Sequence, residues 1–140
     1  MDNYINITLP AISKNESLAR SIVAAFAVSL NPTLDELSDI KTAVSEAVTN
    51  AIVHGYSQSG GQIYITAKLT GNLLHIEISD DGVGIQDIEA ARRPFYTTKA
   101  QEERSGMGFT VMESFMDGLD VENRNEGGLK VTMRKLIGQE

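Results

Sequence analysis

The most constraining feature of this chain is a change of hydrophobic period near its middle. Between Ser13 and His54 apolar residues recur at steps of three and four, whereas across Gln62 to Leu69 and Leu73 to Ser79 they alternate. A period near 3.6 buries one stripe of a helix, and a period of two buries one face of a strand. Helices and strands therefore fall into separate blocks that must cover one another.

Tyr4 to Leu9 alternates as Y-I-N-I-T-L, which predicts a short strand closed by Pro10. Ser13 and Glu16 form a capping-box pattern before a helix from about Lys14 to Leu30, with Leu18, Ile22, Phe26 and Leu30 as its apolar face. Glu16 and Arg20 stand an i,i+4 step apart on its polar flank. Asn31-Pro32 breaks that helix, and Thr33 with Glu36 caps the next, from about Leu34 to His54 with Gly55 as its stop. Its stripe is Leu37, Ile40, Val44, Ala47, Val48 and Ala51.

Gln62 to Leu69 and Leu73 to Ser79 predict a hairpin turning at Thr70-Gly71-Asn72. A glycine-rich break (Asp80 to Gly84), a short helix (Ile88 to Arg92) and a polar loop (Pro94 to Gly106) follow. A helix from Met107 to Met116 and strands Leu119 to Asn123 and Leu129 to Leu136, turning at Asn125 to Gly128, complete the pattern. The order β-α-α-β-β-(α)-α-β-β predicts an α+β two-layer sandwich, its largely antiparallel sheet covered by helices on one face. With 140 residues, 41% of them hydrophobic, residues 1–140 are expected to form one domain.

Charge and cysteine usage narrow the chemistry. Twelve Lys and Arg against 19 Asp and Glu give a net charge of −7, which argues against direct nucleic-acid binding. The absence of cysteine excludes disulfides, thiolate zinc sites and cysteine nucleophiles, and two histidines make a His-rich metal site improbable. The N-terminus lacks a basic region before an apolar stretch, and the most apolar window, IVAAFAVSL, is far short of a membrane span. A cytoplasmic protein with no membrane partner is the expectation.

Three segments carry candidate chemistry. Glu46, Asn50 and His54 follow at steps of four and form a slowly drifting row pointing away from the core direction set by Val44 and Val48. Alone, such a row reads as an ordinary solvated face; its residue types would also suit a base beside a hard-oxygen Mg²⁺ ligand. Asp80-Asp-Gly82-Val-Gly84 follows a strand directly. Its glycines can serve a turn alone. They can also let a flat ligand approach a strand-end carboxylate, which accepts from the exocyclic amine of adenine and repels the carbonyl of guanine. Thr97-Thr98-Lys99 and Arg104-Ser105-Gly106-Met107-Gly108 precede a helix. They suit a surface loop and helix entry, or a lid with amide N–H groups aimed at an anion.

In this order, the E-x-x-x-N helix, the D-x-G-x-G turn and the T-T-K and G-x-G segments resemble the GHKL (Bergerat-fold) ATPase superfamily, over nearly the whole chain. At finer grain Asn15-Glu16-Ser17-Leu18-Ala19-Arg20, Ser45-Glu46-Ala47-Val48-Thr49-Asn50 and Glu103-Arg104-Ser105-Gly106-Met107-Gly108-Phe109 resemble the anti-sigma-F serine-protein kinases of sporulating bacteria. The anti-sigma-B kinases are a near alternative. The resemblance implies an ATP- and Mg²⁺-dependent protein-serine kinase. It would act as a homodimer that inhibits a sigma factor (sigma F) and phosphorylates a serine on an anti-anti-sigma factor. It implies Glu46 as general base, Asn50 as Mg²⁺ ligand, Asp80 as reader of the adenine amine, and Gly82 and Gly84 as shapers of the base pocket. Thr98, Gly106 and Gly108 would serve lid and phosphates, Arg104 the γ-phosphate, and Glu16 and Arg20 the partner surface. A nucleotide-gated binding module without transfer activity, or an ATPase whose acceptor is water, fits the same motifs. One departure stands out: Leu129 and Lys130 follow Gly128, where that family carries threonines, which leaves Asp80 to read the base with water.

Overall fold

The structure, a computed structural model, describes residues 2–55, 60–93 and 108–138. Strand β1 (Asn3–Pro10) leads into helix α1 (Asn15–Ala27) and a 3₁₀ turn, then α2 (Leu34–Asn50). A π-turn, Ala51–Gly55, carries α2 onward. Strands β2 (Gln62–Thr70) and β3 (Leu73–Asp80), helices α3 (Ile88–Ala91) and α4 (Gly108–Phe115), and strands β4 (Gly118–Asn123) and β5 (Leu129–Leu136) follow. The sheet order is β1-β2-β3-β5-β4, and every neighbouring pair is antiparallel. The expected α+β sandwich is therefore the observed one. Among the described residues no helix is long and apolar enough to cross a membrane.

One sheet face carries the core. Ile63, Ile65, Ala67 and Leu69 of β2, Leu74, Ile76 and Ile78 of β3, and Val131 and Met133 of β5 are buried, while the intervening Tyr64, Thr66, Lys68, His75 and Glu77 lie on the other face. Ile40, Val44, Ala47 and Val48 of α2, with Phe109 and Met112 of α4, close over that apolar face. The hairpin turns at Gly71-Asn72, with Gly71 at φ +59°, a conformation glycine adopts without a Cβ penalty.

The two capping boxes behave differently. Thr33 accepts from the Glu36 amide at 3.0 Å and Glu36 accepts from the Thr33 amide at 2.8 Å, so α2 starts as its sequence predicts. These bonds hold the Glu36 carboxyl below its ordinary value, the Thr33 amide contributing most. At α1 the N-cap is Lys14, with no side-chain bond. The Glu16 carboxylate is instead taken by Arg20 and by Ser45 of α2. The apolar face of α1 is also corrected. Ala19, Val23 and Ala27 are buried, Ile22, Phe26 and Leu30 flank them, and Leu18 is exposed. The small residues let α1 approach α2 closely, which larger side chains on that stripe would prevent.

Candidate functional site

The first half of the site is held by the end of α2. Glu46 and Asn50 lie one helical turn apart, about 6 Å along the axis, and both are half-buried. Helix α4 begins against them at Gly108. A Cβ there would stand 3.1 Å from Asn50 Nδ2, 3.3 Å from Asn50 Oδ1 and 3.5 Å from Glu46 Oε1. A side chain there would crowd the Asn50 amide, so glycine eases the approach of the positive N-terminal end of α4 to both groups. Glu46, Asn50 and Gly108, separated by up to 62 positions in sequence, thus meet at one place. His54 belongs to the π-turn, and its side chain lies outside the described residues. The π-turn packs against β3, the strand that ends in Asp80.

The second half is the Asp80 turn. The Asp80 side chain is buried, with the residue only 3% exposed. Its Oδ1 accepts from the Gly82 amide at 2.8 Å and from the Leu129 amide at 3.4 Å. Oδ2 has no hydrogen-bond partner among the described residues, so one carboxylate oxygen is fixed by the fold and the other is available as an acceptor. Burial pushes the Asp80 carboxyl above its ordinary value, against the pull of those two amides. After Gly128, the Leu129 backbone N–H braces Asp80.

Asn123 at the end of β4, and Arg124 and Gly128 of the connection to β5, lock this arrangement; from sequence, Asn123 is expected only as a strand end and Gly128 only as part of a turn. Asn123 Oδ1 accepts from the Ile85 amide at 2.8 Å, and its Nδ2 donates to the Ile85 carbonyl at 2.8 Å. Gly84, at φ +71°, lies directly beneath that amide. Arg124 donates to the Asp80 carbonyl at 2.6 Å and to the Asp81 carboxylate, and its guanidinium stands 5.8 Å from the centre of the Tyr64 ring. The Tyr64 hydroxyl donates to Asp81 at 2.6 Å. Tyr64 and Arg124 together hold the Asp81 carboxyl below its ordinary value. At Gly128, φ is +91° and a Cβ would fall 1.9 Å from the Asp80 carbonyl oxygen. The available signal for these residues was an arginine and a double glycine in one turn of an acidic chain, opposite an Asp-Asp pair.

Glu16 and Arg20 join the site through α2. Arg20 donates to Glu16 and, at 3.4 Å, to Ser45 Oγ, and Ser45 donates to Glu16. Ser45 immediately precedes Glu46. The pair is thus part of a contact between α1 and α2, not an isolated surface ion pair. Thr98, Arg104 and Gly106 lie outside the described residues.

Among the described residues no three His, Asp or Glu side chains converge as a metal cage. A Mg²⁺ ion held mainly by phosphate oxygens and water needs only one or two hard oxygens from the protein, and the half-buried Asn50 amide at the α4 N-terminus supplies one. The donor set therefore fits Mg²⁺ carried in with a nucleotide.

Residues 9–135 match the model of the histidine kinase-like ATPase domain. The chain is 53% identical over 140 residues to the anti-sigma F factor of Bacillus licheniformis, covering 99% of this chain and 96% of that one. It is 53% identical over 138 residues to the anti-sigma F factor of Thermoanaerobacter sp. (strain X514), with 99% and 96% covered. For the anti-sigma F factor of Clostridium kluyveri the figures are 52% over 136 residues, with 97% and 96% covered. The fold is similar to the nucleotide-free catalytic domain of the histidine kinase ThkA, at TM-score 0.60 and 18% identity, with 96% of each chain covered. By its motifs, its fold and these relatives, the chain belongs to the histidine kinase-like ATPase family and groups within it with the anti-sigma F factors.

Proposed function

We propose that the chain is a protein-serine kinase and anti-sigma factor: a single domain, acting as a cytoplasmic homodimer, that holds a sigma factor (sigma F) inactive and phosphorylates a serine on an anti-anti-sigma factor. The observation that carries this reading is the meeting of Glu46, Asn50 and the start of α4 at Gly108. The names of the relatives support the sigma-factor partner.

In this reading Asp80 Oδ2 accepts from the adenine amine, and the Gly82–Gly84 turn gives the base a flat wall. The N–H groups at the start of α4, with Gly106 and Thr98 of the preceding loop, bind phosphate oxygens. Asn50 is the protein ligand of Mg²⁺, which neutralises phosphate charge when bound. Arg104 braces the γ-phosphate. The serine Oγ forms a bond to the γ-phosphorus as the bond from that phosphorus to the bridging oxygen of ADP breaks. The hydroxyl proton passes to the Glu46 carboxylate. Glu16 and Arg20 contribute to the surface where protein partners dock.

The test is the fate of the γ-phosphate. Wild-type protein with labelled Mg·ATP and purified anti-anti-sigma factor should place the label on a serine, identified by mass spectrometry. Label only in free phosphate points to an ATPase, and ATP-dependent partner binding without transfer points to a nucleotide-gated binding module.

A further inference from the structure

A groove of about 380 Å³ runs along the outer face of α2 from its first residue to Glu46, with Arg20 of α1 on its wall. Leu34, Leu37, Lys41 and Ser45 follow one another along it at steps of three and four, so they share one helix face. The chemistry is graded. Leu34 is 84% exposed, unusual for a leucine, and Leu37 lies beside it at the far end. Lys41 lies in the middle, and Glu46 lines the near end.

The charges point to the kind of occupant. The Glu16 carboxylate is engaged by Arg20 and Ser45, and Asp39 of the same helix is 3.5 Å from Lys135. Lys41 makes no ion pair among the described residues. An exposed cation with no ion pair among the described residues, in a groove of a chain with net charge −7, complements an acidic group brought by a partner.

We infer that this groove is the docking site for the serine-bearing segment of the phosphoryl acceptor, an acidic and apolar stretch laid along α2 with its serine at Glu46. The inference rests on the kinase reading and adds the sequence chemistry of the acceptor. From Lys41 to Glu46 the helix rises about 7.5 Å and turns about 140°, and from Leu34 to Glu46 it rises about 18 Å and turns about 120°. An acceptor segment must therefore cross obliquely over the helix as well as run along it. It carries an acidic residue a few positions from its phosphorylated serine and an apolar residue farther on in the same direction.

Lys41→Glu and Leu34→Asp both change exposed positions outside the nucleotide site, and an aspartate in the first turn of α2 favours the helix. With purified anti-anti-sigma factor as the probe, each should raise the KM for that protein tenfold or more. The kcat at saturating acceptor and the ATP affinity should stay within twofold, and Lys41→Arg should behave as wild type. Calorimetric titration of the same protein in ADP should show a matching loss of binding. Changing the acceptor's nearby acidic residue to Lys should be rescued by Lys41→Glu. Unchanged KM and binding in both variants would overturn the groove while leaving the kinase reading intact. If wild type binds the acceptor without transferring phosphate, and Lys41→Glu weakens that binding, the groove stands and the kinase reading falls. Wild type that neither binds nor phosphorylates the acceptor overturns both.

Discussion

Replacing Asp80 by Asn separates recognition from folding, because the two oxygens of Asp80 have different duties. Oδ1 accepts from the Gly82 amide at 2.8 Å and the Leu129 amide at 3.4 Å. In the variant the amide oxygen must take that place, since an NH₂ group there would face two N–H donors. The NH₂ is then forced to the position of Oδ2, where it meets the adenine amine donor to donor. The loss is one hydrogen bond to a charged acceptor, about 1.5–3 kcal/mol, or about 10- to 150-fold in affinity. Folding moves the other way. Burial raises the Asp80 carboxyl, so its charge disfavours the native state at neutral pH, and the neutral amide removes that cost. The variant should unfold in urea at a midpoint equal to or above wild type while binding ADP at least tenfold more weakly by calorimetry. Unchanged affinity in a folded variant would remove Asp80 as the base reader. A lowered urea midpoint with a parallel loss of affinity would make its role structural.

Three further outcomes follow from the same turn. Gly128→Ala puts a Cβ 1.9 Å from the Asp80 carbonyl oxygen at φ +91°, and backbone strain plus collision should cost about 2–5 kcal/mol, read as a lowered urea midpoint. Asn123→Ala removes both 2.8 Å bonds to Ile85, so the Ile85 amide should exchange with solvent faster while overall stability falls by about 1–3 kcal/mol. Lowering pH should weaken ADP binding with a midpoint above the ordinary aspartate value of 3.8, because protonated Asp80 no longer presents a carboxylate. Through that window the native state takes up the proton first, so Asp80 adds stability as pH falls; Asp81, held low by Tyr64 and Arg124, loses its contribution progressively as pH falls from the ordinary aspartate value to its depressed one.

What was legible in the sequence was local. Thr33 and Glu36 sit three residues apart and bond reciprocally to each other's backbone, so their pattern identifies the start of α2 even though Glu36 Oε2 also accepts from the Gly138 amide at 3.1 Å. Ser13 and Glu16 carry the same pattern, yet the Glu16 carboxylate is held by Arg20 one turn on and by Ser45 of α2 instead of by the cap. On α1 two stripes of period four compete. Hydrophobicity favours Leu18, Ile22, Phe26 and Leu30, whereas close packing on α2 selects Ala19, Val23 and Ala27. The site follows the same division. Glu46 with Asn50, and Asp80 with Gly82 and Gly84, are short motifs in single elements. The clamps from Asn123 and Arg124 reach across 38 and 44 positions, and only the pairing of β3 with β5 brings them near.

The central claim is that Glu46 accepts the serine proton at a site built around Asn50 and Gly108. Glu46→Gln keeps the shape and most of the hydrogen bonding of the side chain but cannot accept that proton. General-base catalysis is worth about 10²–10⁴-fold, and a loose phosphoryl-transfer transition state favours the lower end. The direct measurement is the single-turnover rate of phosphoryl transfer to the anti-anti-sigma factor at saturating Mg·ATP, alongside calorimetric ATP affinity. The account predicts a rate about 10²-fold below wild type with ATP affinity within twofold. Transfer at the wild-type rate by a variant that binds ATP normally would contradict it.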